Sequence, residues 1–427
     1  MKKVLIVIYN YSQTESIASI RIRGLAKYLP AYGWQPVILT SRSGIRPDSH
    51  TTIIETECAD LKKEWKLRLG LDDERTLRDQ RGAASHKNRP SLLDLALNLW
   101  EEVFCYPDSC RSTWLEGAVA EGSQRLSSER FDAIISSFGP PTSHLIGAKL
   151  KELTGVPWLA DFQDLWTQNP YYHFSSVRRL IERKLEVNTL AMADALVTVT
   201  EPFATSLKNL HKGKKVACIP FGFDPDDLNP GTPVTEQFTI THTGGLYKGK
   251  RDPHSLFKAT RDLIEQGVIN ASDVRIDFYG HDEGWLGREI RENNMAELAR
   301  IHGLVSRDKA LSCQRRSQLL LLLTWNDPRE KAVCPGKLYD YLASQRPILS
   351  IGVGGGVLEA TMNRTNAGIH CTTPRDVADA LQRLYEEYKS KGTIEFRGNL
   401  DEIRHFSQVE SARLFSRILD EIRLPDK

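Results

Sequence analysis

Short apolar runs alternate with helical periodicity over most of the chain. Residues 4–8 form an uninterrupted, mostly β-branched run, the pattern of a strand buried on both faces in a parallel sheet. After a loop over residues 9–15, Ile17, Ile20, Leu25, Tyr28 and Leu29 fall near one helical face. Pro30 and Gly33 end that helix, and residues 35–40 begin a second strand. Strand, helix and strand in this order predict a βαβ unit.

The alternation lapses over residues 41–130. Residues 51–57 read as a strand, residues 59–90 are dense in charge, and residues 92–104 are apolar around Trp100 and close at Tyr106-Pro107-Asp108. We read an inserted, partly helical segment. Its apolar stretch, 91–105, fits either a helix packed on the parent domain or an amphipathic contact with a membrane or acceptor. The pattern then resumes, with strands predicted at 131–137, 157–162, 195–200 and 215–220 and helices at 143–153 and 177–192. Residues 224–236, with three prolines and four acidic residues, read as a linker. Beyond it, strands are predicted at 238–243, 274–279, 319–323 and 347–351, with a further unit ending near 297–301. Helices are predicted at 254–266, 338–343, 377–389 and 406–422. The fold class is therefore α/β, with two doubly wound, Rossmann-like halves and no short tandem repeat.

Composition narrows the function classes. A length of 427 residues implies two or three domains. Apolar residues at 40% and charged residues at 26% exclude a wholly disordered or collagen-like chain. Lys plus Arg number 57 against 55 Asp plus Glu, and a net charge of +2 argues against a nucleic-acid partner. The seven cysteines are odd in number and form no Cys-x-x-Cys pair. That argues against a structural zinc site or a secreted disulfide framework and for the reduced thiols of a cytoplasm. The first apolar run is too short for a signal-peptide core, and no run is long enough to predict a transmembrane helix.

Four segments carry candidate chemistry, each placed after a predicted strand or at a helix start. The first is Thr243-Gly244-Gly245-Leu246-Tyr247-Lys248-Gly249-Lys250-Arg251. Glycines allow close backbone approach, and Lys250 and Arg251 complement a diphosphate; the same residues also fit a solvated basic turn. The second is Pro335-Gly336-Lys337-Leu338-Tyr339-Asp340-Tyr341. Its helix start suits a phosphate, and Asp340 suits ribose or sugar hydroxyls, or else balances Lys337 as a surface acid. The third is Asp161-Phe162-Gln163-Asp164-Leu165-Trp166, whose acids suit orienting or deprotonating a hydroxyl, or capping and packing. The fourth is Arg21 and Arg23, which suit an anionic acceptor or a solvated helix face.

Together, the two halves, the basic loop after residue 243, and the Pro335–Ala343 segment with Arg346-Pro347 resemble family 4 glycosyltransferases of the GT-B fold. Bacterial members that build surface polysaccharides are the most similar. The opening strand with Ser19-Ile20-Arg21 is also similar, and Asp161 to Trp166 resembles the family's Asp-x-x-Asp-x-Trp element. The likeness spans nearly the whole chain and is weakest at 59–110.

The resemblance implies an N-terminal acceptor domain over 1–228, with an insert at about 59–110 and rejoined by a C-terminal helix at about 403–427. It implies a donor domain over 236–402, the two facing an interdomain cleft. It implies a donor site of Gly244, Gly245, Lys250, Arg251, Gly336, Lys337, Leu338 and Asp340, with Lys250 on the diphosphate and Asp340 on the ribose. Asp161 or Asp164 would act on an acceptor held near Arg21 and Arg23. The expected partners are a nucleotide-sugar donor, UDP- or GDP-linked, and a glycan or lipid-linked acceptor, with retention of configuration and neither a metal nor another cofactor. The expected location is the cytoplasm, at the inner face of a membrane if 91–105 touches lipid.

Three positions depart from the family pattern. Gly245 stands where many members carry an arginine, and Ala332 where the first acid of the pair falls, with Glu330 nearest. Phe221-Gly222-Phe223-Asp224 replaces Asn-Gly-x-Asp. These departures keep two other readings open: a non-catalytic nucleotide-sugar-binding assembly subunit, and a GT-B nucleotide-sugar epimerase.

Overall fold

The computed structural model describes residues 1–11, 16–41, 51–59, 99–229, 231–247, 249–282 and 284–423. The charge-dense part of the expected insert and residues 91–98 of its apolar stretch lie outside these. The chain divides into two compact units, Met1–Pro220 with Ser411–Lys427, and Phe221–Glu410.

The first unit is built on seven parallel strands: β1 (Lys2–Ile8), β2 (Trp34–Ser41), β3 (Thr52–Thr56), β4 (Ala133–Ser137), β5 (Trp158–Phe162), β6 (Ala195–Thr198) and β7 (Lys215–Cys218). Their order is β3-β2-β1-β4-β5-β6-β7. The register runs Val4 beside Pro36 on one side and Ala133 on the other. Val4, Leu5, Ile6 and Val7 are fully buried, as a central strand covered on both faces requires. Helix α1 (Ile17–Tyr28) is capped by Ser16, whose hydroxyl accepts from the Ser19 amide. The C-terminal helix Gln408–Ile422 belongs to this unit's core through Ala412, Phe415, Ile418 and Leu419.

The second unit has six parallel strands: β8 (Phe238–Thr243), β9 (Val274–Tyr279), β10 (Ala299–Gly303), β11 (Leu319–Leu323), β12 (Ile348–Ile351) and β13 (Gly368–Cys371). Their order is β10-β9-β8-β11-β12-β13. Each sheet reverses its direction of growth once, at β1/β4 and at β8/β11. Loops at the carboxyl ends of such strands border a ligand crevice in doubly wound folds. The β8 loop opens at Gly244-Gly245, and the β11 loop leads through Trp325 to the helix Lys337–Ser344.

Candidate functional site

The switch point of the second sheet gathers most of the sequence-predicted donor residues. Gly244 follows β8 with φ of +104° and donates its N–H to the Tyr279 carbonyl at 2.7 Å. A Cβ at this position would lie 2.8 Å from Lys337 Nζ. Gly280, after β9, is also in a positive-φ conformation, and a Cβ there would lie 2.6 Å from the Gly244 carbonyl oxygen. Two bare backbones thus pack together where side chains would fill the space.

Lys337 starts the helix Lys337–Ser344, with Gly336 at its N-cap. Its Nζ lies 3.2 Å from His242 Nε2. The other ring nitrogen, Nδ1, lies 2.9 Å from the Leu321 carbonyl oxygen. A carbonyl only accepts, so Nδ1 carries the proton and Nε2 offers its lone pair to Lys337. His242 is fully buried in β8. Burial first, and the neighbouring Lys337 second, hold its pKa well below the ordinary histidine value, so the ring stays neutral.

Lys337 is itself held well below the ordinary lysine range, chiefly by burial and then by the Arg251 charge. Arg251 donates to the Gly245 carbonyl at 3.1 Å and stacks on Tyr247 at 4.5 Å. Its Nε is buried with no protein partner, and burial lowers its pKa. Lys250 is exposed and sits over the Trp325 ring at 4.1 Å. The cluster therefore holds two partly desolvated cations that repel one another, an arrangement an anion would relieve.

A buried hydrogen-bond set fixes these groups. The Thr243 amide donates to Tyr341 Oη at 3.0 Å, and Tyr341 Oη donates to the Leu321 carbonyl at 3.2 Å. Gln314 Nε2 donates to Thr243 Oγ1 at 2.9 Å, and Ser344 Oγ donates to Gln314 Oε1 at 3.1 Å. Leu338 is fully buried and anchors the same helix.

Asp340 differs from the expectation. Both of its oxygens accept from one guanidinium, Arg307, at 2.8 and 3.2 Å, and Arg307 also reaches Asp227 at 3.1 Å. The carboxylate is thus engaged by a cation rather than held open for a hydroxyl, and that cation is Arg307 rather than Lys337.

The first unit also rearranges the expected roles. Asp161 is fully buried at the end of β5, and Arg21 is 5% exposed on α1. Arg21 Nε and Nη2 bind the two Asp161 oxygens at 3.1 and 3.0 Å. The guanidinium also donates to the carbonyls of Pro220 at 2.9 Å and Ile219 at 3.0 Å and lies 5.0 Å from the Phe415 ring. This bidentate pair ties α1, β5 and the end of the β7 segment together. A carboxylate so engaged is not a general base, and a guanidinium so engaged is not an acceptor contact. Asp164 is exposed, and the protein around it raises its pKa above the ordinary carboxylate value by desolvation. Arg23 is half-buried on α1.

Sequence reading missed His242, Arg307 and Trp325 as members of the site and gave Tyr341, inside its second segment, no role. A histidine inside the otherwise apolar and threonine-rich β8 was the available signal, because a buried polar ring needs partners.

Residues 18–222 match the model of the glycosyl transferase 4-like domain. No curated protein matches the chain. Among solved structures, the chain is similar to sucrose-phosphate synthase from Thermosynechococcus elongatus, at 13% identity, TM-score 0.65 and 99% coverage of both chains. It is similar to Anabaena HepE in complex with UDP and glucose, at 13% identity, TM-score 0.63 and coverage of 99% of this chain and 100% of the other. It is also similar to an E. coli trehalose-6-phosphate structure bound with UDP-2-fluoro glucose, at 12% identity, TM-score 0.62 and 100% coverage of both.

The two parallel sheets and these likenesses define the fold as GT-B. The glycosyl transferase 4-like match lies almost wholly within the first unit.

Proposed function

We propose that this protein is a glycosyltransferase that moves a sugar from a nucleotide-diphosphate donor, UDP- or GDP-linked, to a glycan or lipid-linked acceptor in polysaccharide assembly. The observation that carries the donor assignment is the pair Lys337 and Arg251, two cations desolvated beside the Gly244-Gly245 backbone with an unpartnered guanidinium nitrogen. The UDP present in the HepE structure and the UDP-sugar analogue in the trehalose-6-phosphate structure favour the same ligand class.

As the glycosidic bond breaks, negative charge grows on the leaving phosphate. Lys337, Arg251 and Lys250 meet that charge from fixed positions and need little reorganisation. In this reading the charge is neutralised by the chain's own cations, without a metal, and the configuration is retained. Asp164 serves as the acceptor-side carboxylate, since its raised pKa favours accepting a hydroxyl proton. Asp161 and Arg21 act as positioning residues behind it. A lipid-linked acceptor brings the enzyme to a membrane surface, and no helix among the described residues is long and apolar enough to cross one.

A thermal-shift screen with UDP, GDP, their sugars, ADP and CMP-sugars tests the donor site. A ligand at a hundredfold excess over Kd stabilises the native state by about 2.7 kcal/mol. One nucleotide family is expected to raise Tm in the wild type and to lose that effect in Lys337→Met and Lys250→Ala. No shift with any nucleotide at millimolar concentration would overturn the donor assignment.

A further inference from the structure

The helix Ser176–Leu190 is built inside out. Its buried positions are Arg178, Glu182, Glu186, Thr189 and Leu190. Its outward positions include Val177, Leu180 and Ile181, at 68%, 68% and 54% exposure. These fall at i, i+3 and i+4 and so share one face. Arg179, Arg183 and Lys184 are exposed beside them. Both carboxylates of the helix point inward, so its outward surface presents apolar groups and cations and no acid.

Most of the inward polar groups are engaged in building this arrangement. Arg178 binds Glu182 at 2.6 Å, donates to the carbonyls of Glu101, Glu102 and Pro107 at 2.7, 2.8 and 3.1 Å and to that of Cys105, and stacks on Phe174 at 3.5 Å. Glu182 also accepts from Trp166 Nε1 at 2.9 Å, and Glu186 accepts from the Thr167 amide at 3.1 Å. Glu102 accepts from the amide and hydroxyl of Ser175, the helix N-cap. Arg178 and Glu102 therefore lock the helical residues 99–104 against the start of Ser176–Leu190. Residues 99–104 expose Leu99, Val103 and Phe104 at 65%, 58% and 65%. Six large apolar side chains on two elements are turned to solvent while charged groups are spent inside. That is the reverse of a helix made only to pack on a core.

We propose that this surface docks the enzyme on an anionic lipid bilayer. Apolar side chains enter below the headgroups, while Arg179, Arg183 and Lys184 meet lipid phosphates. The cations of Ser176–Leu190, and the lack of an outward acid on that helix, choose an anionic bilayer over a neutral one and over a second copy of the chain, which would bring like charges together. The inference deepens the lipid-linked-acceptor reading and moves the membrane contact from a single apolar stretch to a two-element surface centred on Leu180.

Vesicle co-sedimentation of the full chain without nucleotide tests this surface separately from the donor site. The probes are phosphatidylcholine vesicles and vesicles of phosphatidylcholine with phosphatidylglycerol. The wild type is expected to bind the anionic vesicles, less so at high salt, and hardly at all the neutral ones. Leu180→Glu with Ile181→Glu, and separately Arg183→Glu with Lys184→Glu, are each expected to lower the partition coefficient at least about tenfold. These positions are exposed, and an unchanged Tm and nucleotide response would show that each variant is folded. Equal binding by the variants, no binding by the wild type, or a dimer that Leu180→Glu dissolves would overturn the proposal. A nucleotide response without vesicle binding rejects this surface and spares the donor site. Vesicle binding without a nucleotide response does the opposite.

Discussion

Lys337 Nζ lies 3.2 Å from His242 Nε2, and the same ring gives its Nδ1 proton to the Leu321 carbonyl 2.9 Å away. The histidine, inside β8, is thereby fixed as an acceptor facing the lysine at the helix start, and neither group is fully hydrated. The pairing points the ammonium at Gly244, where only a glycine leaves room.

Nucleotide affinity should depend on pH through Lys337. Burial and the Arg251 charge lower its pKa in the empty protein. A bound diphosphate raises it again, so binding takes up a proton and weakens as pH rises from the empty-state pKa toward the bound-state one. The empty protein shows the companion effect. Its unfolded chain binds more protons at this position, so stability rises with pH between the depressed folded-state pKa and the ordinary lysine value. Dissociation constants and unfolding midpoints measured from neutral to alkaline pH check both slopes, and Lys337→Met should flatten both.

Gly244→Ala should damage the donor site more than the fold. The substitution places a Cβ 2.8 Å from Lys337 Nζ at a φ of +104°. Backbone strain of this kind costs about 1–3 kcal/mol, and the displaced ammonium should cost nucleotide affinity about tenfold or more. Unfolding curves and nucleotide titration measure the two losses separately.

Asp161 and Asp164 should separate by phenotype. Asp161→Ala leaves the Arg21 guanidinium buried without its partner, and breaking a buried pair costs about 3–5 kcal/mol. Asp164→Asn removes a charge that its surroundings desolvate, so Tm should hold or rise slightly while kcat falls. Chemical denaturation and transfer kinetics on both variants decide this. A Tm loss at Asp164 equal to that at Asp161 would remove the distinction.

Much of both sheets was legible because buried parallel strands are apolar without interruption. Residues 238–243, 274–279 and 319–323 were read with the bounds that β8, β9 and β11 have. The helix Arg111–Ser128 was missed because its inner seam is Trp114, Ala118, Gly122 and Leu126, where small residues carry little hydrophobic signal. Gly122 is small because a Cβ there would lie 3.0 to 3.1 Å from Leu150 and Leu39 side-chain atoms. Strand β13, Gly-Ile-His-Cys, was missed for a related reason. It is a short edge strand, and its Gly368 passes so near the Ile348 backbone that a Cβ would lie 2.0 Å from the carbonyl oxygen.

The site was legible as motifs and not as partnerships. Basic loop, helix start and acidic pair were visible in order along the chain. That Arg307 takes Asp340, and that Arg21 takes Asp161 across 140 positions of sequence, depends on which strand ends the topology brings together. Spacing along the chain carries no information on such long-range pairs.

The most direct test of the donor assignment is calorimetric titration of the wild type and Lys337→Met with the nucleoside diphosphate chosen by the thermal screen, in buffers of differing ionisation enthalpy. The wild type is expected to bind with net proton uptake, and Lys337→Met to bind at least about tenfold more weakly without that uptake. Equal affinity and equal proton exchange in the two proteins would contradict the assignment of Lys337 to the diphosphate.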